Sequence, residues 1–168
     1  MAAIAWLKSA IAGPWSPLRE WASPALNAVR ARSVTDAVER VVEATVLLSG
    51  LGFESGGLSI SHAMTRGLSR VRGARDALHG YQVAYALLVQ LVLEGRDDAF
   101  LADVERFFRD IGLPRCLADL GLDGHSEAEL VAIADGTMTA PHVKNFLRPV
   151  SGTDIAAAMR VVEQRAGR

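Results

Sequence analysis

At 168 residues, half of them apolar and 22% charged, the chain has the composition of one globular domain with a sizeable core, not of a disordered or low-complexity segment. A formal net charge of −1 leaves no electrostatic footprint for nucleic acid or an anionic membrane. The lone Cys116 excludes an intrachain disulfide and suits a reducing compartment, so the expected location is the cytoplasm.

Residues 1–16 read as a short amphipathic segment closed by Gly13-Pro14. No basic residue precedes its apolar run and Lys8 interrupts it, which argues against a secretory signal. Residues 17–168 read as a single all-α domain of about seven or eight helices with short connections. No alternating run bounded by turn residues suggests a strand. A first helix spans 17–29, with proline tolerated near its start. The next begins near Thr35 and carries Val38, Val41, Val42, Thr45 and Leu48 on one stripe; Gly50, Gly52, Gly56 and Gly57 are expected to break it. A helix from about Leu58 holds His62, and Gly73 marks a break beyond it. From His79 to Glu94 the pattern is apolar nearly all round, as for a central buried helix. Its core run, 83–93, contains Gln90 and is too short to cross a bilayer. Asp97 or Asp98 caps a helix with an apolar face of Phe100, Leu101, Val104, Phe107, Phe108 and Ile111, ended by Gly112 and Pro114. Ser126 followed by Glu129 is a capping-box pattern before Leu130. Residues 141–149 read as a loop, and Ser151 or Thr153 caps a last helix over 154–165.

Chemistry concentrates between Leu47 and His79. The run GLGFESG approaches a dinucleotide-binding fingerprint, but its spacing is one residue too long and a helix precedes it, so no nucleotide site is expected there. The glycines supply backbone freedom and close approach. His62 and His79, on one unbroken helix, would stand about 260° apart. The break at Gly73 instead lets them face each other across a helical hairpin. Neutral imidazole is a common ligand for a divalent transition metal, yet buried, hydrogen-bonded histidines are commoner still, and two donors do not complete a site. Glu54, Asp76, Asp36 and His142 are the candidates for a third donor, and spacing selects none. Of the 18 basic residues only two are lysine, and the arginines are dispersed; Arg66, Arg70, Arg72 and Arg75 read as a solvated basic face rather than an anion site.

The words LLSGLGFESGGL, HA, HG, VA and LLVQLVLEG, followed more loosely by RDIGLPRCLADLGL and TAPHVKNF, resemble the iron-containing (type III) alcohol dehydrogenase family, and within it the glycerol dehydrogenases. The resemblance is dense from about Leu18 to Gly95 and implies the family's helical C-terminal domain, without its N-terminal α/β NAD-binding domain. By resemblance His62 and His79 are metal ligands, for zinc or iron, and Phe53 is a wall of the substrate pocket. The family's third ligand, an aspartate of a Gly-Asp motif, would fall upstream of Met1. The implied reaction is oxidation of glycerol to dihydroxyacetone, with the metal as Lewis acid and NAD as hydride acceptor. The chain alone is therefore expected to be inactive and to act with a separate NAD-binding polypeptide or as a homo-oligomer. Two departures bear on substrate: the family's HGEKVA segment stands here as His79-Gly80-Tyr81-Gln82-Val83-Ala84, and Thr65 replaces a frequent further histidine. Another polyol or alcohol as substrate, or a non-catalytic helical interaction module, are the alternative expectations.

Overall fold

The computed structural model describes residues 17–167; the expected amphipathic segment 1–16 lies outside the described residues. All regular elements among them are helical: α1 (Pro17–Arg30), α2 (Asp36–Gly56), α3 (Ile60–Leu68), α4 (His79–Leu93), α5 (Asp98–Ile111), α6 (Glu127–Met138) and α7 (Gly152–Ala166), with short 3-10 turns at Ala74–Asp76, Ala118–Leu120 and Pro141–Asn145. No helix among the described residues is long and apolar enough to cross a membrane. The chain divides into two compact units, Met1–Gly57 and Leu58–Arg168.

In the first unit α1 and α2 pack as a hairpin. Alanines do most of the facing: Ala22, Ala25 and Ala28 on α1, Ala37 and Ala44 on α2, all buried. Such small side chains let two helices approach closely. The expected α2 stripe is therefore rotated: Val38, Val41 and Leu48 are half-buried, while Val42 and Thr45 point outward. Arg40 stacks over the Trp21 ring at 5.1 Å. Pro24 sits inside α1, where only one backbone donor is lost.

The glycine-rich segment corrects an expectation. Gly50 and Gly52 do not break α2, which continues to Gly56. An interior glycine costs only about 1 kcal/mol, less than the rest of a 21-residue helix supplies. The stop comes at Gly57, whose φ of +64° most side chains avoid.

In the second unit α4 is the buried axis, as its all-round apolar sequence predicted. Tyr85, Ala86, Leu88 and Val89 are essentially inaccessible. Helices α3, α5 and α7 pack on it, and α6 bridges α3 and α7. The α3–α6 crossing is made at two glycines. A Cβ added at Gly136 would lie 2.7 Å from Gly67 Cα, and one at Gly67 would strike the Ile133 carbonyl. Arg66 and Arg70, half of the expected basic face, secure the end of α6: Arg66 donates to the Thr139 carbonyl at 2.7 Å and Arg70 to its hydroxyl at 3.3 Å. The caps follow the sequence. Asp97 accepts from the Phe100 amide, and both Ser126–Glu129 and Ser151–Asp154 form full capping boxes. Within 141–149, read as loop, residues 141–145 coil into a 3-10 turn.

The connection between α5 and α6 has no α-helix, and Leu117, Leu120 and Leu122 bury it in the core. Cys116 lies here, half-buried. Burial pushes its thiol above the ordinary range; a hydrogen bond with the Asp119 backbone opposes this, and the Asp119 and Glu163 carboxylates add to the rise. The thiolate is the nucleophile. Iodoacetamide at neutral pH is thus expected to alkylate Cys116 several-fold more slowly than a small free thiol, with denaturant restoring the ordinary rate. Intact-mass kinetics measure this; equal native and denatured rates would refute it.

Candidate metal centre

The two histidines come from opposite arms of a helical turn. His62 lies in the first turn of α3, followed by the fully buried Ala63 and Met64, which fix the helix against the core. His79 is the first residue of α4 and is exposed. Between them the chain reverses at Gly73, φ +98°, where a side chain would meet the Gly121 backbone. The rings end 5.9 Å apart, centroid to centroid, tilted by 53°. At that separation the two rings are near neighbours across the turn.

Polar side chains brace this turn. Gln90 Oε1 accepts from the Ser61 amide at 3.0 Å, tying the start of α3 to α4, and its Nε2 donates to Glu94 at 3.1 Å. Gln82, buried, donates to the Ala74 carbonyl at 2.8 Å. Asn145 donates to the Leu58 carbonyl at 2.9 Å, holding the 141–145 turn beside the start of α3. None of these braces was singled out from sequence. A glutamine inside an otherwise apolar helix, as at Gln90, is the signal that could have found one, since such a side chain must meet a partner.

Burial, then the charges of His79 and His142, lowers the His62 pKa. The neutral ring is favoured, and only a neutral ring has a lone pair for a metal. His142, half-buried on the 141–145 turn, is thus close enough to be felt by His62. The other third-donor candidates are all exposed. Asp76 is exposed and paired with Arg75 at 3.4 Å. Asp36 and Glu54 are exposed on α2, in the first unit. Phe53 is on the last turns of α2, 62% exposed. No group of three or more His, Cys, Asp or Glu among the described residues is arranged to hold a metal. His62 and His79 are thus two neighbouring imidazoles, side chains of a type that can ligate a divalent ion.

No family model matches the chain. Curated relatives do. A glycerol dehydrogenase of Thermotoga maritima is 37% identical over 151 residues, which is 89% of this chain and 42% of that protein. A glycolaldehyde reductase of Halobacterium salinarum is 40% identical over 121 residues, 72% of this chain and 33% of that protein. Among solved structures, the glycerol dehydrogenase of Schizosaccharomyces pombe superimposes with a TM-score of 0.88 at 30% identity, covering 99% of this chain and 43% of that one. The chain thus spans about two fifths of the length of the glycerol dehydrogenases it matches.

Proposed function

The chain is a homologue of glycerol dehydrogenases, and from that premise we propose that it is the helical, metal-holding portion of an NAD-dependent glycerol dehydrogenase. The observation that carries the reading is the paired His62 and His79 rings, 5.9 Å apart across the α3–α4 turn. These two imidazoles would hold a divalent ion, zinc or iron, and Phe53 would wall the pocket. Such an ion, when bound, supplies Lewis-acid chemistry to an alcohol. The chain's own residues contribute binding and orientation. Gln90, Gln82 and Asn145 fix the backbone under the two rings, and the buried flank of His62 keeps its ring neutral. The third donor and the NAD site belong, in this reading, to the part of the enzyme that the relatives carry and this chain does not match.

A second reading keeps the chemistry and changes the substrate. It is favoured by the glycolaldehyde reductase relative, which matches 72% of this chain, and it would make the partner molecule another small hydroxy compound. The test is reconstitution. Purified chain supplied with zinc, NAD and glycerol is expected to form no NADH. Adding the nucleotide-binding portion of a glycerol dehydrogenase as a separate polypeptide is expected to restore turnover, and comparing glycerol oxidation with glycolaldehyde reduction separates the two substrates. Turnover by the chain alone would overturn the assignment of the third donor and the NAD site to the unmatched portion of the relatives. Failure of the supplied polypeptide to bind and to restore activity would count against the assignment as a whole.

A further inference from the structure

Helix α3 carries His62 but has no side-chain cap of its own. Ser59 stands at its N-cap, the place from which a serine hydroxyl ordinarily accepts an amide two or three residues on. Here it makes no such bond, and its hydroxyl oxygen is buried without a hydrogen-bond partner among the described residues. The amide two residues on, that of Ser61, donates instead to Gln90 Oε1 of α4 at 3.0 Å. The orientation of the Gln90 amide is fixed from its other side. Its Nε2 donates to Glu94 Oε1 at 3.1 Å, so a flip would set a donor against the Ser61 amide and an oxygen against a carboxylate. Glu94 is held in turn: its side chain is 6% exposed, and Arg96 donates to its Oε2 at 3.1 Å. The close of α4 brings Arg96 back over Glu94. Gly95, at φ +71°, lets its own amide reach the Val92 carbonyl and the Arg96 amide reach the Leu91 carbonyl. Arg96 also stacks over the Phe100 ring of α5 at 5.2 Å.

We propose, resting on the reading of His62 and His79 as a metal-binding pair, that Gln90 and Glu94 are the positioning residues of that pair. The first turn of α3 is tied not to its own N-cap but to α4, the helix that begins with His79. His62 directly follows Ser61, so the bond to Gln90 sets the place of one ring against the other. Burial of Ile60, Met64 and Leu68 keeps α3 on the core, but apolar burial has no direction. The Ser61–Gln90 bond supplies the direction. Glu94 stands at the opposite end of α4 from His79 and acts through Gln90, by keeping the amide oxygen turned toward Ser61. The arrangement needs an acceptor facing Ser61 and one donor between positions 90 and 94. It does not need glutamine and glutamate in the order this chain has them. A glutamate at 90 would accept from Ser61 with one oxygen and from a glutamine at 94 with the other.

Three variants of the full chain test this. Gln90→Met removes acceptor and donor at nearly constant volume. Glu94→Met leaves Gln90 in place without the group that orients it. The swap, Gln90→Glu with Glu94→Gln, reverses the pair. Zinc affinity is read by chelator competition at a temperature where circular dichroism shows each variant folded. It is expected to fall about tenfold or more in Gln90→Met, the range lost when a group that orients a metal ligand is removed, and several-fold in Glu94→Met. In the swap it is expected to return to within a few-fold of wild type, a rescue that a role in stability alone does not produce. The zinc-free protein gives a second reading that no metal enters. A nuclear Overhauser contact between the His62 and His79 ring protons is expected in wild type and in the swap, and is expected to weaken or vanish in Gln90→Met. Wild-type zinc affinity in either methionine variant, a ring contact unchanged in Gln90→Met, or a swap that loses that contact overturns the proposal. Zinc affinity that survives loss of both histidines would instead overturn the metal reading, and the ring contact alone then decides whether Gln90 places His62.

Discussion

Replacing His62 and His79 together by alanine is expected to remove specific binding of Zn2+ at neutral pH, and either single replacement to weaken it by on the order of a hundredfold or more. Loss of a residue that merely orients a ligand costs about 10–100-fold, and a direct donor costs at least as much. No group of three or more His, Cys, Asp or Glu among the described residues is arranged to hold a metal without this pair. His79 is exposed at a helix start and His62 half-buried, so neither replacement opens a large cavity and the helical fold should survive. Competition against a chromophoric zinc chelator gives the affinity, and far-ultraviolet circular dichroism checks the fold. Equal zinc affinity in wild type and double variant would remove the histidine pair from the site. His142→Ala separates neighbour from ligand. His142 influences His62 electrostatically without forming a three-donor group with it, so its removal should leave zinc affinity within a few-fold of wild type.

Some of this was legible in the sequence, for physical reasons that can be named. Capping boxes are local: Ser126 needs only Glu129, and Ser151 only Asp154, so spacing in the chain fixes the contact. The burial of α4 follows from its having no polar face. The pairing of His62 with His79 was legible once Gly73 was read as a reversal, because a short hairpin leaves few ways for two helix starts to meet. Gly50 and Gly52 misled because glycine signals a break only by permission; it allows a turn without demanding one, and α2 had enough other residues to continue. The contacts of Glu163, on α7, lay beyond any local reading. Tyr85, Leu117 and Glu163 are brought together only by the packing of α4, the α5–α6 connection and α7, and each is unremarkable in its own segment. The same holds for Gly67 and Gly136, whose meaning exists only at a helix crossing.

Those two glycines carry the largest expected effect on stability. Gly67→Ala is expected to destabilise the protein by about 3 kcal/mol or more, at the upper end of overpacking, because the added methyl meets backbone as well as side chain. The Ile133 carbonyl it would strike is part of α6, and the Thr137 hydroxyl at 2.8 Å is already donating to that carbonyl. Gly136→Ala is expected to behave alike, since its Cβ would sit 2.7 Å from Gly67 Cα and 3.0 Å from Arg70 Cδ. At about 2–4 °C per kcal/mol for a chain of this size, either change should lower the melting temperature by roughly 10 °C. Gly50→Ala is the contrast. That glycine lies inside α2, a Cβ there would meet nothing within 4 Å, and alanine is expected to raise stability by about 0.5–1 kcal/mol. Thermal unfolding of the three variants decides the matter, and a Gly67→Ala protein as stable as wild type would mean that α3 and α6 do not cross where their glycines meet. The crossing also reaches the candidate metal centre. Gly67 and His62 share α3, so forcing α3 away from α6 displaces one imidazole relative to the other. Any Gly67→Ala protein that still folds should therefore bind zinc more weakly than wild type, although the substituted residue touches no ligand.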